Sequence, residues 1–166
     1  MFTSESPIGI IGSGAMGSGI AQVAATAGHP VFIYDNSQVQ LDKAAKNLQS
    51  TLSKLVEKSK MSKAGADALL ARVHFLASLD KLASCALVIE AIVENISVKQ
   101  QVFRDLELIV SEKTVLASNT SSLSITSIAS SVKKPERVLG IHFFNPAPLM
   151  PLVEIIPGVA TGASVL

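Results

Sequence analysis

The residues Gly12-Ser13-Gly14-Ala15-Met16-Gly17 spell G-x-G-x-x-G, preceded by the β-branched run Ile8-Gly9-Ile10-Ile11 and followed by a small-residue helical pattern, Ala15 to Ala27. Strand, tight turn and helix in that order let three glycines hold a pyrophosphate. The first permits the turn, the second admits the phosphates to the backbone, and the third allows close packing of helix on strand. The anion then sits on unpaired N–H groups at the positive end of the helix. Asp35 ends a second apolar run, Val31-Phe32-Ile33-Tyr34, close to the ~20-residue separation at which an acid reaches the adenosine ribose 2′-hydroxyl. Its carboxylate would repel a 2′-phosphate, and Asn36-Ser37-Gln38-Val39-Gln40 offers no Arg or Lys to hold one. NAD is therefore expected rather than NADP.

Three further runs end expected strands in polar residues: Glu90-Ala91-Ile92-Val93-Glu94-Asn95, Ser118-Asn119-Thr120-Ser121-Ser122 and His142-Phe143-Phe144-Asn145-Pro146. In an open α/β sheet, ligands collect at that rim. His29, in a turn, and His74, opening a strand, read as structural or surface residues. His142 is the histidine expected at the rim, where an imidazole could take the hydroxyl proton as an alcohol loses hydride to a nicotinamide. Glu154, among Leu152, Val153, Ile155 and Ile156, could sit partly buried and accept the imidazole N–H; the alternative is a solvent-facing carboxylate on an edge strand. The single cysteine, Cys85, has apolar neighbours and reads as a buried small hydrophobe. Neither an internal disulfide nor a multi-cysteine zinc site is available, and no metal is expected.

These groups need a scaffold, and the periodicity supplies one. Helical spacing runs from Gln38 to Lys60; a turn over 61–65 leads to a shorter helix, Ala66 to Arg72, and a strand at Val73 to Leu76. A buried-strand run, Leu87 to Val93, precedes a helix from Val98 to Val110 with Ser97 as its cap. Strands follow at Thr114 to Ala117, Arg137 to His142 and Leu152 to Ile156, with a short helix at Ser124 to Ser131. Alternating strands and helices imply an α/β fold, a doubly wound and mostly parallel sheet of Rossmann type with a projecting helical hairpin.

Composition agrees with a folded domain of 166 residues: 48% are hydrophobic, and the 16% that are charged fall below the typical ~25%. A formal charge of +1 gives no bulk reason to expect nucleic acid or an anionic membrane. The apolar stretches are broken well before the ~18 residues of a span, and the polar start lacks a basic-then-apolar signal, so a soluble cytoplasmic protein is expected.

Taken with Leu152-Val153-Glu154, Lys99 and Gly140-Ile141 before His142, the glycine loop and three rim runs resemble the NAD-binding domain of the L-3-hydroxyacyl-CoA dehydrogenases over nearly the whole chain. The resemblance implies reversible oxidation of an L-3-hydroxyacyl-CoA to the 3-ketoacyl-CoA, with His142 as general base and Glu154 orienting it. It implies that Ser121 hydrogen-bonds the substrate's 3-oxygen near the cofactor, and that Glu94, Lys99, Asn119 and Asn145 surround the nicotinamide ribose and carboxamide. Contacts to CoA would fall on Thr51 and Lys58, although Lys58 among its neighbouring lysines also fits a solvated face. The family continues into a helical C-terminal domain that closes the acyl site and makes a homodimer. Residues 1–158 are accordingly expected as the NAD-binding domain and 159–166 as a linker or frayed tail toward a domain absent from this chain. Two alternatives stand beside this one: a stand-alone NAD-binding module without turnover, and a dehydrogenase of a non-CoA 3-hydroxy acid.

Overall fold

Short apolar runs separated by amphipathic helices give a seven-stranded sheet in the computed structural model, which describes residues 2–166. The strands are β1 (Ile8–Ile11), β2 (Val31–Tyr34), β3 (Val73–Leu76), β4 (Leu87–Glu90), β5 (Val115–Ser118), β6 (Val138–Phe143) and β7 (Val153–Pro157). The helices are α1 (Ala15–Thr26), α2 (Gln38–Glu57), α3 (Lys63–Arg72), α4 (Ile96–Ile109) and α5 (Ile125–Ala129). Strand order is β3-β2-β1-β4-β5-β6-β7, parallel throughout except for the last pair. Among the described residues, no helix is long and apolar enough to cross a membrane.

Side chains alternate across each strand, and both faces are covered. Ile10, Ile89, Ala117 and Leu139 pack in one core cluster with residues of α1, α2 and α3. Their neighbours Ile11, Val88, Leu116 and Val138 pack in a second with residues of α4 and α5. This is the expected double winding. The helical hairpin of α2 and α3 is anchored by Leu41, Leu48, Leu52, Ala66 and Leu69, all buried in the first cluster. Cys85 is buried in the second, where loss of hydration pushes its thiol up to about 12.

Several boundaries differ from the periodicity for local reasons. The cap of α4 is Asn95, whose side chain accepts from Val98 N, so Ser97 lies inside the first turn. Glu90 ends β4 and the apolar residues 91–93 form the connection, an ambiguity inherent in a continuous apolar run. Ser62 caps α3, which therefore begins at Lys63 rather than Ala66, while α2 stops at Glu57 before Ser59 at φ 54°. The tail is hydrogen-bonded rather than frayed: Val159 N donates to Thr126 Oγ1, Thr161 Oγ1 to the Val138 carbonyl, and Gly162 N to the Glu136 carbonyl.

The strand order reverses between β1 and β4, and the glycine turn occupies the crevice at their carboxyl ends. Gly12 has φ +98°, and a Cβ there would lie 2.7 Å from the Ala91 carbonyl oxygen. A Cβ on Gly17 would stand 1.9 Å from the Gly12 carbonyl oxygen, whereas one on Gly14 would meet nothing within 4 Å. The first and third glycines thus serve packing, and the second keeps a space open. Gly17→Ala is expected to lower the unfolding free energy by about 1–3 kcal/mol and Gly14→Ala by less than about 0.5 kcal/mol. Urea denaturation of both variants checks this; equal stability would mean the turn relaxes around the added methyl.

Candidate functional site

The β1 turn delivers the loop to an acid from the neighbouring strand. Gly12 N donates to the Tyr34 carbonyl, which sets Asp35 beside the loop. Asp35 Oδ2 accepts from Ser13 N at 2.9 Å and Ser13 Oγ at 2.8 Å, and Oδ1 accepts from Ser37 N at 3.0 Å. Besides being the expected ribose acceptor, Asp35 braces the glycine loop itself. Burial raises its pKa, but the hydrogen bonds from Ser13, Ser37 and the Asn36 backbone outweigh that and leave it below the ordinary 3.8.

Next to this acid lies a cleft of about 500 Å³ whose lining includes Gly12, Gly14, Tyr34, Asp35 and Val93. A second, of about 350 Å³, includes Met16, Glu94, Lys99, Asn119, Ser121, His142 and Asn145 in its lining. Ala91 and Ile92 border both, so the two form adjoining halves at one rim of the sheet. Between them, Gly14 caps α1 without a side chain, and the first turn carries no acid. The backbone N–H groups of Ala15, Met16 and Gly17 find no protein acceptor among the described residues. Open space at Gly14, unpaired amides and a flanking carboxylate fit a dinucleotide laid across the loop.

In the second half, His142 near the end of β6 faces Glu154 on antiparallel β7 through the register His142↔Glu154. Nδ1 stands 2.7 Å from Glu154 Oε2. An ionised carboxylate only accepts, so this contact puts the proton on Nδ1 and leaves the Nε2 lone pair free. The Phe144 ring packs on the imidazole with centroids 4.8 Å apart. Asn119 Oδ1 accepts from Phe143 N at 2.9 Å, pinning β6 to the end of β5. Glu154 lies between the two expectations: its side chain is 48% exposed, because β7 is an edge strand whose residues are all open to solvent on one side.

Beneath the expected Glu94 and Lys99 lies a carboxylate to which the sequence assigned no role, Glu90. Glu90 is fully buried; Oε1 accepts from Lys99 Nζ at 2.5 Å and Ile92 N at 2.8 Å, and Oε2 from Ser118 Oγ at 2.6 Å. Lys99 is also buried and lies 3.3 Å from Glu94 Oε2. Glu94 accepts from the Thr120 hydroxyl and from Ser122 Oγ at 3.2 Å. Burial raises its pKa; the Thr120 hydrogen bond and the Lys99 ammonium prevail and hold it below the usual carboxylate range. A charged residue inside the apolar run 87–93 was the available signal, since a buried carboxylate demands a partner. Thr51 and Lys58 are exposed at α2 and its C-terminal end, and border neither cleft.

Residues 7–166 match the family described as "3-hydroxyacyl-CoA dehydrogenase, NAD binding domain". The chain is 47% identical over 154 residues to a 3-hydroxybutyryl-CoA dehydrogenase of Clostridioides difficile, covering 93% of this chain and 55% of that protein. It is 43% identical over 166 residues to the 3-hydroxyadipyl-CoA dehydrogenase of Escherichia coli K12, all of this chain and 35% of that one. The crystal structure of a 3-hydroxybutyryl-CoA dehydrogenase from Escherichia coli K12 superposes with a TM-score of 0.95 at 43% identity, over 97% of this chain and 34% of the other. A (S)-3-hydroxybutyryl-CoA dehydrogenase from Ralstonia eutropha gives 0.94 at 39%, over 97% and 57%. The chain thus spans between a third and little more than half of these relatives.

Because Asp35 is held below its ordinary pKa in the fold, its contribution to stability is present above pH 3.8 and disappears as pH falls through the lower folded value. The stability difference between the parent chain and Asp35→Asn should therefore be largest near neutral pH and shrink below about pH 4. Denaturation at a series of pH values reads it; a constant difference down to about pH 2 would remove Asp35 as an anchor of the loop.

Proposed function

The chain belongs to the 3-hydroxyacyl-CoA dehydrogenase family, of which it carries the NAD-binding domain, and from that premise we propose that it forms the cofactor half and the proton-transfer centre of an L-3-hydroxyacyl-CoA dehydrogenase. One observation carries the reading: His142, held 2.7 Å from Glu154, lines a cleft that adjoins the glycine loop. NAD, when bound, accepts the hydride that leaves the substrate's C3.

Around it the residues divide the work. The amides following Gly12 and Gly14, at Ala15, Met16 and Gly17, hold the pyrophosphate, and Asp35 accepts from the adenosine ribose. Glu94, Lys99, Asn119 and Asn145 hold the nicotinamide ribose and carboxamide. His142 Nε2 takes the proton of the 3-hydroxyl, while Glu154 keeps the imidazole oriented and stabilises its positive charge. Ser121, exposed at the cleft, donates to the substrate oxygen and keeps the carbinol turned toward the histidine. Thr51 and Lys58 would meet the CoA moiety along α2.

This reading assigns residues 1–158 to the NAD-binding domain and treats 159–166 as the path to a helical domain. Leu149, Leu152, Ile155 and Val159 are exposed between 51% and 91%, an apolar area suited to cover by further chain. In the longer protein it takes the acyl-CoA site to lie between the two domains, the assembly to be a homodimer, and the location to be cytoplasmic.

Calorimetric titration of this chain should give an NADP affinity at least ~10-fold weaker than that for NAD, since a phosphate would face Asp35 with no cation beside it; equal affinities would remove Asp35 as the selector. In the longer protein, His142→Gln should lower kcat by ~10²–10⁴-fold while changing NAD affinity little. Glu154→Gln should do less damage and shift the pH profile of kcat. Near-normal turnover of His142→Gln at every pH would assign the base to another group.

A further inference from the structure

Three charges meet at the wall of the nicotinamide half of the cleft. Lys99, 1% exposed, lies 2.5 Å from Glu90 Oε1 and 3.3 Å from Glu94 Oε2. Glu90, fully buried, takes three hydrogen bonds, from Lys99, Ile92 N and Ser118 Oγ. Glu94 stands at the cleft margin, its charge supported by the Thr120 and Ser122 hydroxyls. Two carboxylates share one ammonium, so the group carries a net charge of about −1 by simple count. Among the described residues, the other titratable group lining this cleft is His142, which faces Glu154 rather than the triad.

The inference rests on the reading that the nicotinamide occupies this cleft. That ring is cationic when oxidised and neutral when reduced, and the rest of the dinucleotide is the same in both forms. A fixed charge beside it therefore acts on the difference between the two forms, while hydrogen bonds to ribose or carboxamide act on both. Burial keeps salt from screening the triad fully. We propose that the Glu90–Lys99–Glu94 triad discriminates the oxidation state of the bound nicotinamide, its net negative charge favouring the oxidised form. Glu90 is the positioning residue: it neutralises the Lys99 ammonium from behind, so that Lys99 can donate toward the ligand without opposing the ring's charge. The site holds the oxidised form more firmly than an uncharged wall would, while its hold on the neutral reduced ring is not strengthened.

The readout is the ratio of dissociation constants, NAD⁺ over NADH, measured by titration of the same preparation of this chain. Glu90→Gln keeps the side chain's size and one acceptor but removes its charge; the ratio should rise by roughly three- to ten-fold. Glu94→Gln removes a charge from the same group at a half-exposed position and should move the ratio in the same direction. It decides the matter if Glu90→Gln, checked by near-ultraviolet circular dichroism, does not fold. A merely structural role for the triad would weaken both forms alike and leave the ratio where it was, which would overturn the inference while leaving NAD binding intact. Were the unmodified chain to bind neither form, the NAD reading and this inference would fall together.

Discussion

A carboxylate with no access to water has to be answered by the protein, and Glu90 is that carboxylate. Stripping it and Lys99 of hydration is costly, and breaking such a pair from one side typically costs ~3–5 kcal/mol. The answer comes from three elements: Lys99 from α4, Ser118 from the end of β5, and Ile92 N from the connection leaving β4. Satisfying one charge therefore fixes the relative positions of β4, β5 and α4 at the rim where both clefts open. The loop over 91–95 that divides those clefts has its conformation set at Ile92 by the same carboxylate.

A different constraint governs the other half. There the restriction is steric: helix α1 approaches β1 so closely that a single Cβ on Gly17 would meet the backbone at 1.9 Å. Asp35 then adds directional bonds to Ser13 and Ser37, converting the end of β2 into a brace for the turn. The two halves consequently differ in origin. The cleft beside Asp35 joins the contiguous segment 8–37 to Ala91, Ile92 and Val93 and to Val98 and Val102 of α4, whereas the cleft beside His142 draws on residues at the ends of β4, β5 and β6. The imidazole–carboxylate pair belongs to the second half, where His142 and Glu154 meet only because β7 turns back antiparallel against β6.

The segments that were legible in the sequence are those whose physics is local. G-x-G-x-x-G between a strand and a helix constrains its own backbone, and an acid at the end of β2 follows from the length of α1. The alternation of apolar runs with amphipathic helices was enough to indicate a doubly wound sheet. His142, Ser121 and Asn119 could be assigned to one rim because parallel strands all end there. Local competition explains the errors at element ends: Asn95 and Ser97 are both good caps, and it is Asn95 whose backbone is extended and whose side-chain Oδ1 accepts from Val98 N.

What tertiary structure decided was which polar groups answer one another. Lys99 had a place in the rim in sequence terms, but its partners, Glu90 and Glu94, are chosen by the depth at which α4 packs. The exposure of Glu154 likewise depends on β7 being an edge, which its apolar neighbours in sequence could not reveal. The reason is common to both cases. Backbone turns and periodicity are set by sterics within a few residues, whereas burial and charge pairing depend on what other elements bring from tens of residues away.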